Sequence, residues 1–226
     1  MFKKSQNQQR GKSKYHEVGG PIKIVDPEKI NPLSETFIEA GQEMKLNFND
    51  DFNGAKQKGI GLFQFIDNNN DSTRSYLTPQ KRKNLTIKTN CTVTKLFLNR
   101  NIVVGLKYIK DNHMHEINIR KEIILCEGSI NTAKLLMLSG IGNSSELEQH
   151  GIKPLINLPG VGHNLQDHLI IPNTYQCKNL SLQEKINSTN FKNYFNNKKT
   201  PKFRNCIEAG AFTNINSVTP NIQLYL

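Results

Sequence analysis

A short apolar run that leads into a glycine and a helical pattern is the feature that most constrains the fold. Residues 123–126 are continuously apolar, and Gly128-Ser129 follows after one glutamate. A helical pattern over 133–138 comes next, and Gly140-Ile141-Gly142 ends it. A continuous apolar run of this length predicts a strand buried on both faces, with Cys126 as a buried free thiol.

This strand, glycine and helix unit is also the strongest candidate for a binding site. Glycine lets the backbone approach a ligand closely, and a helix N-terminus offers unpaired N–H groups and the positive end of the helix dipole. Such a geometry suits a phosphate or a ribose. Turns of this kind are also common where no ligand binds, so a purely structural role stays open.

The rest of the chain is rich in predicted strands. Alternating or apolar segments predict strands at 22–25, 62–66, 85–89, 93–98, 102–109, 115–120, 155–158, 209–212 and 222–226. Helices are expected after Ser34, which can cap the first, and at 72–77 and 146–150. The polar, aperiodic residues 177–205 predict a loop or lid. Alternation over 85–120 fits an antiparallel sheet with one face in water.

Charge and composition argue against several classes of function. A net charge of +11 is compatible with nucleic-acid binding, but the basic residues are scattered, so we expect no nucleic-acid partner and a lysine-rich solvated surface. A basic nucleic-acid binder remains an alternative that would show steeply salt-dependent association. The four cysteines form no Cys-x-x-Cys pair, which argues against a metal site.

No apolar run is long enough to predict a membrane partner. The first residues carry the charges of a signal peptide without its apolar core, so the chain as written predicts a cytoplasmic location. An extracellular location stays open for a full-length parent.

Two stretches carry a family resemblance. Gly128 to Gly142 is similar to the second signature of the glucose-methanol-choline (GMC) oxidoreductases, except that Ala133 stands where the family has Pro or Ser. Residues 158–168, Leu-Pro-Gly-Val-Gly-His-Asn-Leu-Gln-Asp-His, resemble another family segment almost residue for residue. Weaker likenesses occur at Tyr15-His16 with Gly19-Gly20-Pro21, at Asp51-Phe52-Asn53-Gly54, and at 74–79. The chain resembles an internal segment of this family, with insect glucose dehydrogenase-like members in particular.

The resemblance implies a fold and a domain order. It implies an α/β chain, with a partial FAD/NAD(P)-binding domain that lacks the first βαβ unit and the start of an α+β substrate domain. The expected segments are a flexible lead-in at 1–14, an extended FAD- and substrate-side segment at 15–61, the partial FAD-binding domain at 62–168 and the beginning of the substrate-binding domain at 169–226.

The resemblance also implies FAD as the cofactor. Val93 matches a family valine whose backbone pairs with the flavin adenine, and Gly128, Ser129 and Asn164 are the other expected cofactor-binding residues. Glu127 replaces a small family residue, and its carboxylate would repel a pyrophosphate.

The activity implied is FAD-dependent oxidation of a CH–OH group of a small-molecule alcohol or sugar. No Gly-x-Gly-x-x-Gly fingerprint follows a strand, and none of the six histidines matches the family's catalytic histidine. We therefore assign no catalytic residue and expect an incomplete or inactive form. The alternative is a non-catalytic remnant that serves as a binding or structural protein.

Overall fold

The computed structural model describes residues 2–27, 30–67, 76–77, 84–175 and 207–226. These residues fall into two compact units. The first unit combines Met1–Lys83 with Thr174–Leu226, and the second unit is Asn84–Asn173. The lid predicted at 177–205, and nearly all of the helix predicted at 72–77, lie outside the described residues.

The described residues form a mixed α/β chain. In chain order the elements are α1 Phe2–Ser5, β1 Gln6–Gln8, β2 Ile22–Val25, α2 Pro32–Glu43, β3 Gly59–Leu62, β4 Phe65–Ile66, β5 Thr92–Asn99, β6 Ile102–Lys110, β7 His113–Asn118, α3 Gly128–Leu138, β8 Ile141–Gly142, α4 Ser144–Gln149, β9 Ile156–Asn157, β10 Ala209–Thr213 and β11 Ile222–Tyr225.

The described residues of the first unit form two small sheets and one long helix, α2. One sheet has the order β1-β2-β4, and the other has the order β11-β10-β3 with antiparallel pairing. Helix α2 packs on the second sheet, where Ile38 meets Ile60, Ala209 and Ala211 in a buried cluster. The apolar stripe expected of α2 therefore covers strands from distant parts of the chain.

The observed cap of helix α2, Asn31, lies three residues before the predicted cap, Ser34. The Asn31 side chain caps it by accepting from the Leu33 amide at 2.9 Å, and Pro32 takes the first helical position. Ser34 lies inside the helix instead, where its buried hydroxyl donates to Glu208 at 3.2 Å. Asparagine and serine are about equally good caps, so the sequence alone did not separate them.

Residues 1–14, predicted as a flexible lead-in, contain helix α1 and strand β1. Strand β1 pairs with β2 in parallel, and both Gln6 and Gln8 are buried. Their amides are satisfied there, because His16 Nδ1 lies 3.0 Å from Gln6 Oε1 and Gln8 Nε2 donates to Gln64 Oε1 at 2.8 Å. A polar stretch can thus be ordered when its buried groups find hydrogen-bond partners.

The second unit is built around the antiparallel sheet β5-β6-β7. Helix α3 packs against β5, with Leu135 and Leu96 both buried. The short parallel pair β8-β9 and helix α4 follow, and Leu147 of α4 is fully buried. The strands predicted at 93–98, 102–109 and 115–120 match these elements, although β7 begins two residues before its predicted start.

The buried strand predicted at 123–126 is wrong for this structure. Those residues belong to no strand, Ile124 is 76% exposed, and Cys126 is exposed where a buried thiol was expected. A buried strand needs neighbours on both edges, and none of the described residues pairs with this segment. The alternating residues 85–89 likewise lie outside the strands.

Candidate cofactor-binding site

The start of helix α3 differs from the starts of α2 and α4. Asn31 and Asn143 cap α2 and α4 with their side chains, whereas Glu127 at the corresponding position of α3 makes no capping hydrogen bond. The first residue, Gly128, has φ +82°, a conformation that favours glycine. The N-terminal amides of α3 are therefore left without a side-chain cap, at the positive end of the helix dipole.

An open cleft of about 590 Å³ lies over this helix start. The Ser129 and Thr132 side chains bring hydroxyl groups to it, and most of its other side chains are apolar. Its lining is Leu125, Cys126, Gly128, Ser129, Thr132, Ala133, Leu136, Val161 and Gly162. The exposed segment around Cys126, predicted as a buried strand, thus forms one wall.

A second cleft of about 520 Å³ lies between α3 and the loop at 162–166. Ser129 lines both clefts, and Asn164 lines the second with φ +55°. The loop passes close to the helix, since a side chain added at Gly162 would lie 3.1 Å from Met137 Sδ. Three of the four predicted cofactor-binding residues, Gly128, Ser129 and Asn164, therefore line these two neighbouring clefts.

Val93 lies elsewhere in the second unit. It is half-buried on β5, opposite Tyr108 of β6, and lines neither cleft. The register shifts between Val93 and Lys95, which marks a bulge directly after Val93. Bulges redirect backbone groups and are frequent beside functional sites.

Beside Val93 the structure brings together Lys88, Tyr108 and His115, a group that the sequence did not predict. Lys88 Nζ donates to the Tyr108 hydroxyl at 2.9 Å, and this bond raises the pKa of Lys88 above its ordinary value. Tyr108 also stacks on His115 with ring centres 5.0 Å apart. The sequence predicted strands at 93–98 and 102–109, but not the pairing of Val93 with Tyr108 or the bond from Lys88 to Tyr108.

The first unit joins two of the motifs that resemble the family. His16 is buried, and its Nε2 atom lies 2.8 Å from Asp51 Oδ2. By contrast, Asp167 and His168 form no side-chain pair, because Asp167 Oδ1 accepts from the backbone amide of His168 and both residues are exposed. The Asp167-His168 sequence is thus a loop feature here.

The described parts of the chain contain no group of three or more His, Cys, Asp or Glu side chains that could hold a metal ion. Nor do the helices of those parts include one that is long and apolar enough to cross a membrane.

Comparison with known proteins identifies the family. A family model described as GMC oxidoreductase matches residues 3–170, most of the chain. The chain is 42% identical over 184 residues to the alcohol dehydrogenase [acceptor] of Pseudomonas putida, and this match covers 78% of this chain and 33% of that protein. It is 43% identical over 173 residues to the oxygen-dependent choline dehydrogenase of Staphylococcus saprophyticus, covering 74% of this chain and 31% of that protein. The chain belongs to the GMC oxidoreductase family.

Solved structures agree with this assignment. Pyridoxine 4-oxidase from Mesorbium loti matches with a TM-score of 0.64 and 30% identity, over 70% of this chain and 32% of that one. An FAD-dependent oxidoreductase from Chaetomium thermophilum matches with a TM-score of 0.73 over 93% of this chain and 41% of that one, and at 23% identity it supports the fold alone. The chain spans about a third of the length of the curated relatives it matches.

Proposed function

We propose that this chain supplies part of the FAD-binding region of an oxidoreductase that oxidises a CH–OH group of a small-molecule alcohol or sugar. The observation that carries this proposal is the glycine-initiated, uncapped start of α3 beneath an open cleft. The match of residues 3–170 to the family supports it. The alcohol and choline dehydrogenases among the relatives support a CH–OH substrate.

The residues around the cleft fit a part of FAD. The uncapped amides at Gly128 and Ser129 are suited to a phosphate, because they are N–H donors at the positive end of a helix. The Ser129 and Thr132 hydroxyls can bond a phosphate or ribose oxygen, and apolar walls suit a flat ring system. The exposed carboxylate of Glu127 is unfavourable to a pyrophosphate. When bound, FAD would accept the hydride from the alcohol carbon.

We propose further that this chain alone binds FAD without oxidising an alcohol. The support is that none of its six histidines matches the catalytic position of the family resemblance. His163 is the histidine that lines a described cleft, and its Nε2 atom faces Glu146 Oε1 at 3.4 Å in a half-exposed pair. The alternative, a remnant that serves as a binding or structural protein, predicts neither FAD binding nor turnover.

The test of the site compares two glycine substitutions in the second unit. Gly128 and Gly151 have φ +82° and +69°, and in both cases an added Cβ would meet no atom within 4 Å. Gly128→Ala and Gly151→Ala therefore place similar strain on the backbone, but only Gly128 lines the cleft.

We expect Gly128→Ala to weaken FAD binding by about tenfold, a factor that corresponds to about 1.4 kcal/mol, and Gly151→Ala to change it by less than about twofold. Both affinities are measured by titration with flavin fluorescence, on chains shown to be folded by circular dichroism. Equal affinities for the two variants would contradict this location of the site.

A further inference from the structure

Ser139 connects the helix that starts at the cleft with the strand that carries Val93. The Ser139 hydroxyl donates to the Leu135 carbonyl oxygen at 2.7 Å and accepts from the Leu96 amide at 2.8 Å. Ser139 is 1% exposed, and so is Leu96. The hydroxyl is thus a buried bridge between the last turn of α3 and the middle of β5.

The bridge has a clear physical reason. Strand β5 is the edge of the sheet β5-β6-β7, so its outer amides have no neighbouring strand among the described residues. An unpaired buried amide is costly, and the Ser139 hydroxyl satisfies the one at Leu96. The backbone amide of Ser139 also donates to the carbonyls of Leu135 and Leu136, which fixes the serine on the helix end.

The two bridged elements carry three of the four predicted cofactor-binding residues, while the fourth, Asn164, lies on the loop at 162–166. Gly128 and Ser129 begin α3, and Val93 lies three positions before Leu96 on β5. Packing of Leu135 on the strand also holds the helix, but apolar contact is non-directional, whereas a hydrogen bond fixes orientation and register. The hydroxyl therefore adds a directional contact between α3 and β5 to the apolar packing.

We propose that Ser139 is a positioning residue for FAD, holding the start of α3 and the Val93 segment at the separation that one bound cofactor requires. This inference rests on the proposed function. It assigns to Ser139 no contact with the cofactor, because Ser139 lines neither cleft.

The test uses two variants of Ser139 and a control. Ser139→Ala removes the hydroxyl, and Ser139→Cys replaces it with a larger thiol that forms only weak hydrogen bonds, so the second variant guards against a folding failure of the first. The control is Leu147→Val, which removes one methylene group from a fully buried leucine in the same unit. This substitution leaves the Ser139 hydrogen bonds intact. The readouts are hydrogen exchange at the Leu96 amide without FAD, and the FAD dissociation constant.

In both Ser139 variants, hydrogen exchange at the Leu96 amide should be faster than the loss of unfolding free energy alone would cause. Both variants should also raise the FAD dissociation constant about tenfold, while Leu147→Val changes it by less than about twofold. Equal losses of FAD affinity in Ser139→Ala and Leu147→Val would overturn the positioning role, because a general loss of stability would then explain both. Unchanged Leu96 exchange would overturn the bridge itself.

Failure of the proposed function gives a different pattern. An unaltered, folded chain that does not bind FAD overturns that function and the role of Ser139 with it. An unaltered chain that binds FAD as tightly as its Ser139 variants overturns the positioning role alone.

Discussion

The Nε2 atom of His16 lies 2.8 Å from Oδ2 of Asp51, 35 positions later in the chain. This contact joins the segment that leads into Gly19-Gly20-Pro21 to the turn that ends in Gly54. The opposite ring nitrogen of His16 lies 3.0 Å from Gln6 Oε1, so the same histidine also holds strand β1. His16 therefore ties together three separate segments of the first unit.

We expect Asp51→Asn to lower the free energy of unfolding of the first unit by about 1 kcal/mol, since it weakens a hydrogen bond to a charged group at a partly buried site. Asparagine can still accept from the Asn53 amide, as Asp51 does at 3.1 Å, so the turn itself is kept. The measurement is urea unfolding. Asp50→Asn is the matched control, because the Asp50 side chain is 77% exposed and lies 4.0 Å from its basic partner Arg10. If both substitutions lowered the free energy of unfolding equally, the contact between His16 and Asp51 would have no special role in stability.

The pair of Arg10 and Asp26 predicts a loss of stability in acid. Burial alone would raise the pKa of Asp26, but hydrogen bonds from Arg10 and Gln64, and the charge of Arg10, together lower it below its ordinary value. A carboxyl with a lowered folded pKa stabilises the fold above its unfolded pKa of about 4, and that contribution is lost as the pH falls through the folded value.

We therefore expect Asp26→Asn to destabilise the first unit at pH 7 and to reduce the fall in stability between about pH 5 and pH 2. Urea midpoints across that range measure both effects. Glu39→Gln, at an exposed carboxylate of α2 without an ion pair in the described part of the chain, should leave the acid dependence nearly unchanged. An acid profile that is identical in Asp26→Asn and the unaltered chain would contradict this account.

Removal of the Glu127 carboxylate should strengthen FAD binding. Glu127→Gln removes a negative charge beside the uncapped start of α3, where a pyrophosphate would lie. We expect FAD affinity to rise about threefold at low salt and the difference to shrink at high salt, because exposed charges are screened. Glu122→Gln, at an exposed glutamate that lines neither cleft, serves as the control. Unchanged affinity in Glu127→Gln would show that the phosphate binds away from this residue.

The sequence predicted the elements whose local pattern and tertiary environment agree. The strands predicted at 93–98 and 102–109 form β5 and β6 of one sheet, and α4 is closed at Gly151, as a helix followed by glycine predicts. The family motifs predicted Gly128, Ser129 and Asn164 as cofactor-binding residues, and in the structure these residues line two neighbouring clefts.

Other features depend on partners that are distant in the chain. Gln6 and Gln8 look like residues of a flexible terminus, and their burial depends on hydrogen-bond partners such as His16 and Gln64. The apolar residues 123–126 look like a central strand, but a strand forms only where others pair with it. Ser139 was visible in the sequence as part of the Ser-Gly-Ile-Gly motif, whereas its bond to Leu96 required the structure.

Titration of the purified, folded chain with FAD tests most directly whether the start of α3 binds the cofactor. We expect saturable binding with a change in flavin fluorescence, reduced by Gly128→Ala and retained in Gly151→Ala. Absence of saturable binding by a chain whose circular dichroism shows it to be folded would contradict the assignment of a cofactor site to the start of α3.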